Sequence, residues 1–325
     1  MVVAQAADCE HAMAAFRAKD WTAAANGFAG CEMQSPSKTD ALLLRGKALI
    51  NLGKIDDASE SLGKYLATHP KSDDALYTLG YVQFRQDKPR ESLATYTAAA
   101  RLKTPTDDDL KIVSLDYVLL HDYKDAARYL EDALKMNPSN AEARYHLGRV
   151  RYQLNDFDAA IAAFQEVLRQ QPGNEKAEYN LGLSFEGKNE TQTAVACYRK
   201  AISLDHAALV PDEQPYLDLG SLLSRLNRPT EAIPMLKRAV EIKSDSDKAH
   251  YELAKAYLAA SQYENARMEA ETAIRQKANA SSYHYLLGRI YTKLGRTEPA
   301  AEQYRLTDEL LKNKEVGASP SQQAQ

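Results

Sequence analysis

The chain has 325 residues, of which 44% are apolar and 26% charged, and its formal net charge at pH 7 is -4. Acidic and basic residues nearly balance, which argues against a general nucleic-acid binder, because such proteins carry a basic surface. No run of 18 apolar residues occurs in the sequence, so no membrane-spanning helix is expected.

The N-terminal segment reads MVVAQAADCE and contains Ala4-Gln5-Ala6, the small-x-small pattern of a signal-peptidase site. The charged and long apolar parts of a signal peptide are missing. We expect the sequence to begin near the mature end of an exported protein, periplasmic or secreted. The alternative is an ordinary alanine-rich N-terminus of a cytoplasmic protein.

Glycines recur along the chain at a fixed interval. They stand at Gly46, Gly80, Gly148, Gly182, Gly220 and Gly288. Every interval is 34 residues or twice 34, except one of 38. Such self-similarity is the sequence signature of a repeat architecture.

Other residue types follow the same period. A small residue comes twelve places after each glycine, and repeats without the glycine keep it: Ala24, Ala58, Ser92, Ala126, Ala160, Ala194, Ala232, Ala266 and Ala300. Four places later stands a large residue: Phe28, Leu62, Tyr96, Leu130, Phe164, Tyr198, Leu236 and Tyr304, with Ala270 as the exception. Proline closes several units at Pro36, Pro70, Pro138 and Pro172, and Pro105 comes one place late.

This pattern resembles the tetratricopeptide repeat, a 34-residue unit of two antiparallel helices. The resemblance covers nine units: 5–38, 39–72, 73–106, 107–140, 141–174, 175–208, 213–246, 247–280 and 281–314. It implies an all-α fold, a right-handed α-solenoid superhelix of stacked helix-turn-helix repeats. A lone unit cannot bury its apolar face, whereas stacked units share a continuous core.

The small residues explain how the two helices of a unit approach closely. We expect Gly148 to face Ala160, with Phe164 filling the space beside them. A helix tolerates the glycine because tertiary packing supplies most of its stability. Four further prolines, Pro89, Pro229, Pro234 and Pro299, are expected at or within the first turn of a second helix, where a missing N–H is harmless.

In chain order, unit one contains Cys9 and Cys31, expected at the start of its first helix and the end of its second. A hairpin places such positions side by side, so a disulfide is predicted there. The alternative is two reduced, buried thiols. Unit four opens with Asp107-Asp108-Asp109, acids that favour a helix start.

The repeats fall into two groups, 5–208 and 213–314, separated by a short insert at 209–212 that we expect to bend or hinge the array. Residues 315–325 are polar and are predicted to form a disordered tail. Leu306, Leu310 and Leu311 lie in the last unit, where no separate capping helix follows. They predict an apolar end that self-associates.

No catalytic or metal-binding motif emerges from the sequence. The seven histidines fall in separate repeats or linkers, and no phosphate-loop, calcium-loop or complete serine-enzyme motif occurs. We therefore expect no enzymatic activity, no cofactor and no metal.

By resemblance, repeats of this family bind extended peptides or partner helices in a concave groove lined by repeat positions 2, 5, 9, 12 and 13, counted from the first residue of each unit. The candidate binding residues are Tyr77, Tyr81, Phe84, Tyr145, Arg149, Tyr152, Tyr179, Arg225, Lys248, Tyr251, Lys255, Tyr285, Arg289 and Lys293. The alternative for the tyrosines is that they pack between helices. Neither the two-carboxylate clamp of chaperone-tail binders nor the asparagine ladder of sugar-transferase arrays is reproduced.

Charge divides the candidate groove. In units seven to nine the mapped positions hold five basic residues, Arg225, Lys248, Lys255, Arg289 and Lys293, and no acid. They predict an acidic or C-terminal-carboxylate ligand, the alternative being a solvated face. Units one to three carry apolar and aromatic residues with mixed charges, and predict an apolar or aromatic segment.

The sequence thus predicts a non-catalytic scaffold that binds proteins or peptides, without nucleic acid or membrane insertion. The alternative is an assembly or regulatory subunit of an envelope or enzyme complex, which dimerises or docks through its C-terminal edge.

Overall fold

The computed structural model describes residues 2–32, 40–205 and 212–317. These residues form eighteen α-helices and no β-strand, which confirms the predicted all-α architecture of stacked helical hairpins. The chain divides into two compact units, Met1–Val167 and Leu168–Gln325.

The helices follow one another with short connections. The first ten are α1 (Val2–Arg17), α2 (Trp21–Glu32), α3 (Ala41–Asn51), α4 (Ile55–Thr68), α5 (Asp73–Arg85), α6 (Pro89–Ala100), α7 (Asp107–Leu119), α8 (Tyr123–Met136), α9 (Ala141–Gln153) and α10 (Phe157–Gln170). The others are α11 (Glu175–Gly187), α12 (Thr191–Asp205), α13 (Gln214–Arg225), α14 (Pro229–Ile242), α15 (Asp247–Ala259), α16 (Tyr263–Gln276), α17 (Ser281–Lys293) and α18 (Thr297–Gly317).

Odd-numbered helices are the first helices of the hairpins, and even-numbered helices are the second. Consecutive helices pack on each other, and first helices of adjacent hairpins also touch: α1, α3, α5, α7 and α9 in the first unit, and α13, α15 and α17 in the second. Each of these rows brings equivalent positions of neighbouring first helices side by side.

The turn within every hairpin uses a left-handed backbone at repeat position 15. The residues there have φ between 56° and 73°: Lys19, Gly53, Asp87, His121, Asn155, Asn189, Asn227, Ser261 and Gly295. In the turn at Asn155, the Asp156 N–H donates to the Arg151 carbonyl at 2.9 Å and the Asn155 N–H donates to the Tyr152 carbonyl, also at 2.9 Å. These are the bonds of a Schellman C-cap. The turn therefore fixes the hairpin through its backbone.

The repeat glycine makes room for the large residue of its own hairpin. A Cβ added at Gly148 would lie 2.7 Å from Phe164 Cε1, and its three nearest neighbours are all atoms of the Phe164 ring. The same holds at Gly80, where a Cβ would lie 2.8 Å from the Tyr96 ring. The ring predicted to fill the space beside Gly148 therefore packs directly over the helix backbone.

One proline lies deeper in its helix than predicted. Pro89 and Pro229 begin α6 and α14, and Pro299 is the third residue of α18. Pro234, however, is inside α14, which begins five residues earlier at Pro229. The prediction of a first-turn position was wrong for Pro234, because Pro229 starts the helix.

The core is built from the periodic small and large residues. Ala58, Ala160 and Ala232 are fully buried, as are Leu62 and Phe164. The helix start predicted at Asp107 is present, with a capping box in which the Thr106 and Asp109 side chains bond each other's backbone N–H. Burial of the repeated positions therefore follows the sequence period.

Cys9 and Cys31 face each other across the first hairpin, with their Cα atoms 5.5 Å apart, a separation typical of disulfides. The expectation that Cys9 begins its helix was wrong. Helix α1 begins at Val2, because the alanine-rich segment before Cys9 is also helical.

The predicted insert 209–212 and tail 315–325 lie largely outside the described residues. Asp212 lies two residues before α13, which begins at Gln214, and α18 continues to Gly317.

Candidate functional site

A pocket of about 420 Å³ lies in the second compact unit, against the row formed by α13, α15 and α17. Its lining comprises Ser224, Arg225, Lys255, Leu258, Ala259, Ser261, Tyr263, Leu286, Arg289 and Lys293. We call this the basic pocket. Four of the five predicted basic residues meet there, and no aspartate or glutamate is part of its lining.

Helix geometry explains why these cations converge. Arg289 and Lys293 are four residues apart on α17, so they share one helix face. Lys255 occupies on α15 the repeat position of Arg289, and Arg225 occupies on α13 that of Lys293. Since α15 contacts both α13 and α17, equivalent positions on the three helices line one surface.

Two of the four cations are paired with acids, which corrects the expectation of an acid-free basic face. Lys255 Nζ lies 2.8 Å from a carboxylate oxygen of Glu252, and the Arg225 guanidinium forms an ion pair with Glu186. Glu252 stands at repeat position 6, which the groove mapping left out, whereas Glu186 is at mapped position 12 but belongs to unit six, outside the three units in which the basic group was counted. Arg289 and Lys293 are exposed, and neither has an acidic partner among the residues that the structure describes.

Aromatic rings flank the basic pocket. Lys255 Nζ lies 5.3 Å from the centroid of the Tyr251 ring, within the range of a cation–π contact. Tyr251 stacks on Tyr283 with centroids 4.6 Å apart, and the Tyr283 hydroxyl donates to Asp247 at 2.6 Å. Tyr251 is thereby held in place as a rigid support for Lys255.

Two predicted binding residues of this unit lie apart from the basic pocket. Lys248 is exposed near the start of α15 and does not line it. Tyr285 does not line it either; its ring, 51% exposed, packs 5.9 Å from Tyr304. Lys248 therefore offers a matched control cation close to the site.

A second pocket, of about 590 Å³, lies in the first unit between α5 and α7 and includes Tyr77 and Tyr81. Four aspartates line it, two from unit three and two from unit four. Phe84 is not part of the lining, although its ring lies 6.5 Å from that of Tyr81.

A third pocket, of about 390 Å³, includes Arg149 and uses nearly the same repeat positions as the basic pocket. Its walls differ in chemistry, because Leu115, Val118 and Leu119 make it largely apolar. His146 also lines it, and burial, helped by Arg149, lowers the pKa of that imidazole to about 4. The imidazole is neutral at pH 7, so the pocket brings together one cation, Arg149, and one carboxylate, Asp87.

Three predicted tyrosines pack between helices instead of lining a described pocket. The Tyr145 ring meets Phe164 edge-on at 5.8 Å, and Tyr152 lies 5.6 Å from Phe157. The Tyr179 hydroxyl donates to Asp218 at 2.6 Å. These contacts support the packing alternative for the tyrosines.

The described residues contain neither a candidate metal site nor a membrane-spanning helix. Among the described residues, no group of three or more histidine, cysteine or acidic side chains is arranged to hold a metal ion. None of the helices in the described ranges has the length and apolar character required to cross a bilayer.

Family profiles described as tetratricopeptide repeat match residues 43–105, 115–175 and 147–212 with one profile, 223–290 with a second and 281–309 with a third. The chain belongs to the tetratricopeptide repeat family. The profiles do not fix the number of repeats. No curated protein sequence matches the chain significantly.

Solved tetratricopeptide repeat structures share the fold. One from Parabacteroides merdae is 20% identical, with a TM-score of 0.58 over 78% of this chain and 98% of the other. The Cut9–Hcn1 tetramer of the APC/C is 15% identical, with a TM-score of 0.57 over 83% of this chain and 52% of the other. YrrB, described as a TPR protein with an unusual peptide-binding site, is 20% identical, with a TM-score of 0.51 over 57% of this chain and 93% of the other.

The tetratricopeptide mapping missed part of both charged pockets. Tyr263 and Ser261 reach the basic pocket from the turn and the second helix, outside the first-helix positions used for the mapping. The aspartates of the second pocket are visible in the sequence as Asp-Asp pairs that open units three and four. A run of acids at the start of each of two adjacent units was the available signal.

Proposed function

We propose that the chain is a non-catalytic scaffold that holds an extended segment of a partner protein, and that the basic pocket receives an acidic side chain or a C-terminal carboxylate of that segment. The observation that carries the proposal is the convergence of four cations on one pocket of about 420 Å³. Tetratricopeptide repeat membership supports a role in protein interaction, and YrrB provides an example of peptide binding on a similar fold.

The chemistry of the pocket suits a carboxylate. A guanidinium offers two parallel N–H donors to a carboxylate, so Arg289 can set orientation as well as charge. Lys293 lies one helical turn away and adds a second cation. Leu258 and Leu286 supply apolar wall area for the methylene groups of a glutamate.

The test is a binding titration with defined probes. The full chain is titrated with a short glycine-serine peptide that carries two central glutamates and a free C-terminus, and with its amidated glutamine counterpart. The variant Arg289→Ala/Lys293→Ala removes the two unpaired cations. Lys248→Ala removes a nearby exposed cation that does not line the pocket and serves as the matched control.

We expect the glutamate peptide to bind the wild type and the double variant to lose roughly tenfold or more in affinity, because each contact is a charge-assisted hydrogen bond. Lys248→Ala should bind like the wild type. Equal binding of both peptides, or an equal loss in Lys248→Ala, would contradict the proposal.

One observation favours the alternative of assembly through the C-terminal edge. Leu311, on the outermost helix α18, is 46% exposed. In this reading a second copy or an enzyme partner covers α18. Light scattering at increasing concentration tests it: association that Leu311→Glu abolishes supports the alternative, and a monomer at all concentrations opposes it.

We further propose that Cys9 and Cys31 form a disulfide and that the protein functions in an oxidising compartment, periplasmic or extracellular. The separation of 5.5 Å between their Cα atoms supports the bond, which would tie the terminal hairpin together. Cys197 is buried, so thiols are titrated under denaturing conditions with and without reductant. One free thiol before reduction supports the proposal, and three oppose it.

A further inference from the structure

The pocket between α5 and α7 has the opposite charge to the basic pocket, and we call it the acidic pocket. Its lining comprises Asp73, Asp74, Tyr77, Thr78, Tyr81, Tyr96, Lys103, Thr106, Asp108, Asp109, Lys111 and Ile112. Four carboxylates and two ammonium groups therefore line a volume of about 590 Å³, and a third ammonium group, that of Lys47 outside the lining, lies 2.6 Å from Asp74.

The cations near the acidic pocket neutralise it only in part. Lys111 Nζ lies 2.9 Å from Asp108, but it is shared with Glu142 at 2.7 Å, outside the lining. Lys103 is 3.4 Å from Asp73 and its side chain is 67% exposed, so this pair is weak.

Asp109 has no cationic partner among the described residues. Its carboxylate accepts hydrogen bonds from the Thr106 backbone N–H at 2.8 Å and hydroxyl at 2.7 Å. These neutral donors leave its negative charge uncompensated. The lining as a whole therefore carries an excess of negative charge.

Tyr96 also lines the acidic pocket, and its hydroxyl differs from that of the equivalent tyrosine in another repeat. Tyr96 is the large residue of its repeat, and its ring packs against Gly80. It is only 4% exposed, yet its hydroxyl makes no hydrogen bond to any residue that the structure describes. At the equivalent repeat position, the Tyr198 hydroxyl donates to Glu186 at 2.6 Å. The unpaired hydroxyl of Tyr96 therefore departs from the pattern.

Burial is the main cause that raises the pKa of Tyr96, and Asp109 adds to it. The hydroxyl consequently stays protonated at physiological pH and keeps a lone pair for a donor. This lone pair can accept a hydrogen bond from a ligand donor that enters the pocket.

Aromatic rings form the wall beside this hydroxyl. Tyr77 packs against Tyr96 with centroids 5.8 Å apart, and its hydroxyl donates to the Lys103 carbonyl at 2.6 Å. On the far side of Tyr81, the Arg85 guanidinium lies 5.8 Å from the ring centroid and donates to the Tyr81 hydroxyl at 2.9 Å. Arg85 therefore already makes a cation–π contact with one ring of this wall.

We propose that the acidic pocket binds an arginine side chain of a partner segment. A guanidinium has several N–H donors for the aspartates and for Tyr96, and a flat face that stacks on tyrosine rings. This site goes beyond the proposed function, because it lies in the other compact unit and takes a ligand of opposite charge.

The observations favour arginine over other cations. A divalent metal requires a compact set of oxygen ligands, and no such group occurs in the described part of the chain. The methylene groups of an arginine also fit against Ile112 and the tyrosine rings, whereas a small amine would leave most of the volume empty.

The test uses the full chain and a short glycine-serine peptide, acetylated and amidated, with two central arginines. The comparison peptide has citrulline, a neutral group of nearly the same shape. Asp73→Asn/Asp74→Asn removes two carboxylates of the pocket, and Tyr96→Phe removes only the hydroxyl. Asp56→Asn/Asp57→Asn is the matched control, because it changes charge equally in the first turn of α4 without touching the pocket.

At low ionic strength we expect the arginine peptide to bind, the citrulline peptide to bind at least about tenfold more weakly, and the aspartate pair variant to lose about tenfold. Tyr96→Phe should lose severalfold and the control should match the wild type. No arginine binding, equal citrulline binding, an unchanged affinity in either pocket variant, or an equal loss in the control would overturn the proposal. Binding of the glutamate peptide to the basic pocket is measured separately, so the two proposals can fail independently.

Discussion

Asp116 is a buried carboxyl whose protonation should make the stability of the protein depend on pH. It stands on α7 at a repeat position that other hairpins fill with the buried apolar side chains of Val82, Val150 and Ile290. Its Oδ2 lies 2.5 Å from the Ser92 hydroxyl, and its Oδ1 has no hydrogen-bond partner among the described residues.

Burial raises the pKa of Asp116 from 3.8 to about 7, although the Ser92 hydrogen bond acts in the opposite direction. An acid with a raised pKa binds its proton more tightly in the folded state than in the unfolded state. Its contribution to stability is therefore complete below pH 3.8 and is lost as the pH rises to about 7. At about 1.4 kcal/mol per pKa unit, the loss is about 4 kcal/mol.

The assay is urea unfolding of the wild type and Asp116→Asn at a series of pH values between 4 and 8. The amide has the same shape and does not titrate, so the difference between the two proteins isolates this group. We expect Asp116→Asn to gain about 4 kcal/mol relative to the wild type across this range, whatever its absolute stability.

A difference between the two proteins that does not change with pH would refute this reasoning, because it would mean that Asp116 titrates normally in the folded state. Asp122→Asn, a change at the N-cap of α8, is the control and should show no comparable pH-dependent gain.

Three further predictions concern packing, backbone conformation and a histidine. Gly148→Val should lower the free energy of unfolding by about 1–3 kcal/mol, because its Cβ would lie 2.7 Å from the Phe164 ring; an unchanged urea midpoint would contradict this. Lys19→Gly should raise thermal stability by about 0.5–1 kcal/mol, because φ is 60° there, whereas a loss would show that the turn is unstrained. His250 Nδ1 lies 2.6 Å from Glu269, which raises the pKa of the imidazole. The pair therefore stabilises the fold below pH 6.5 and loses this effect as the pH rises through the folded pKa, so Glu269→Gln should destabilise at pH 5.5 and hardly at pH 9; a uniform loss at both pH values would be evidence against it.

Much of the fold follows from the sequence period. Residues equivalent to Gly148 and Phe164 recur in register along the chain. Their burial restricts how the two helices of a hairpin can pack. The left-handed turn was not predicted, because Lys19, His121 and Ser261 give no glycine signal at that position. The turn is imposed by the packing of the two helices, which overrides residue preference.

The candidate site was predictable only where charge repeats along one helix face. Arg289 and Lys293 share one face of α17 and line the basic pocket, whereas Lys248, predicted in the same basic group, lies outside its lining. The acid that pairs with Lys255 is at an unmapped position, and the acid that pairs with Arg225 comes from the preceding unit. Pocket chemistry depends on such contacts between helices, which a one-dimensional pattern does not specify.

The most direct test of the proposed function is a double-mutant cycle between Arg289 and a glutamate of the acidic probe peptide. Four affinities are measured, for wild type and Arg289→Gln against the glutamate peptide and its glutamine counterpart. Direct contact in the basic pocket predicts a coupling energy of about 1 kcal/mol or more, which decreases with added salt. A coupling energy near zero would contradict the proposal that the basic pocket receives an acidic group.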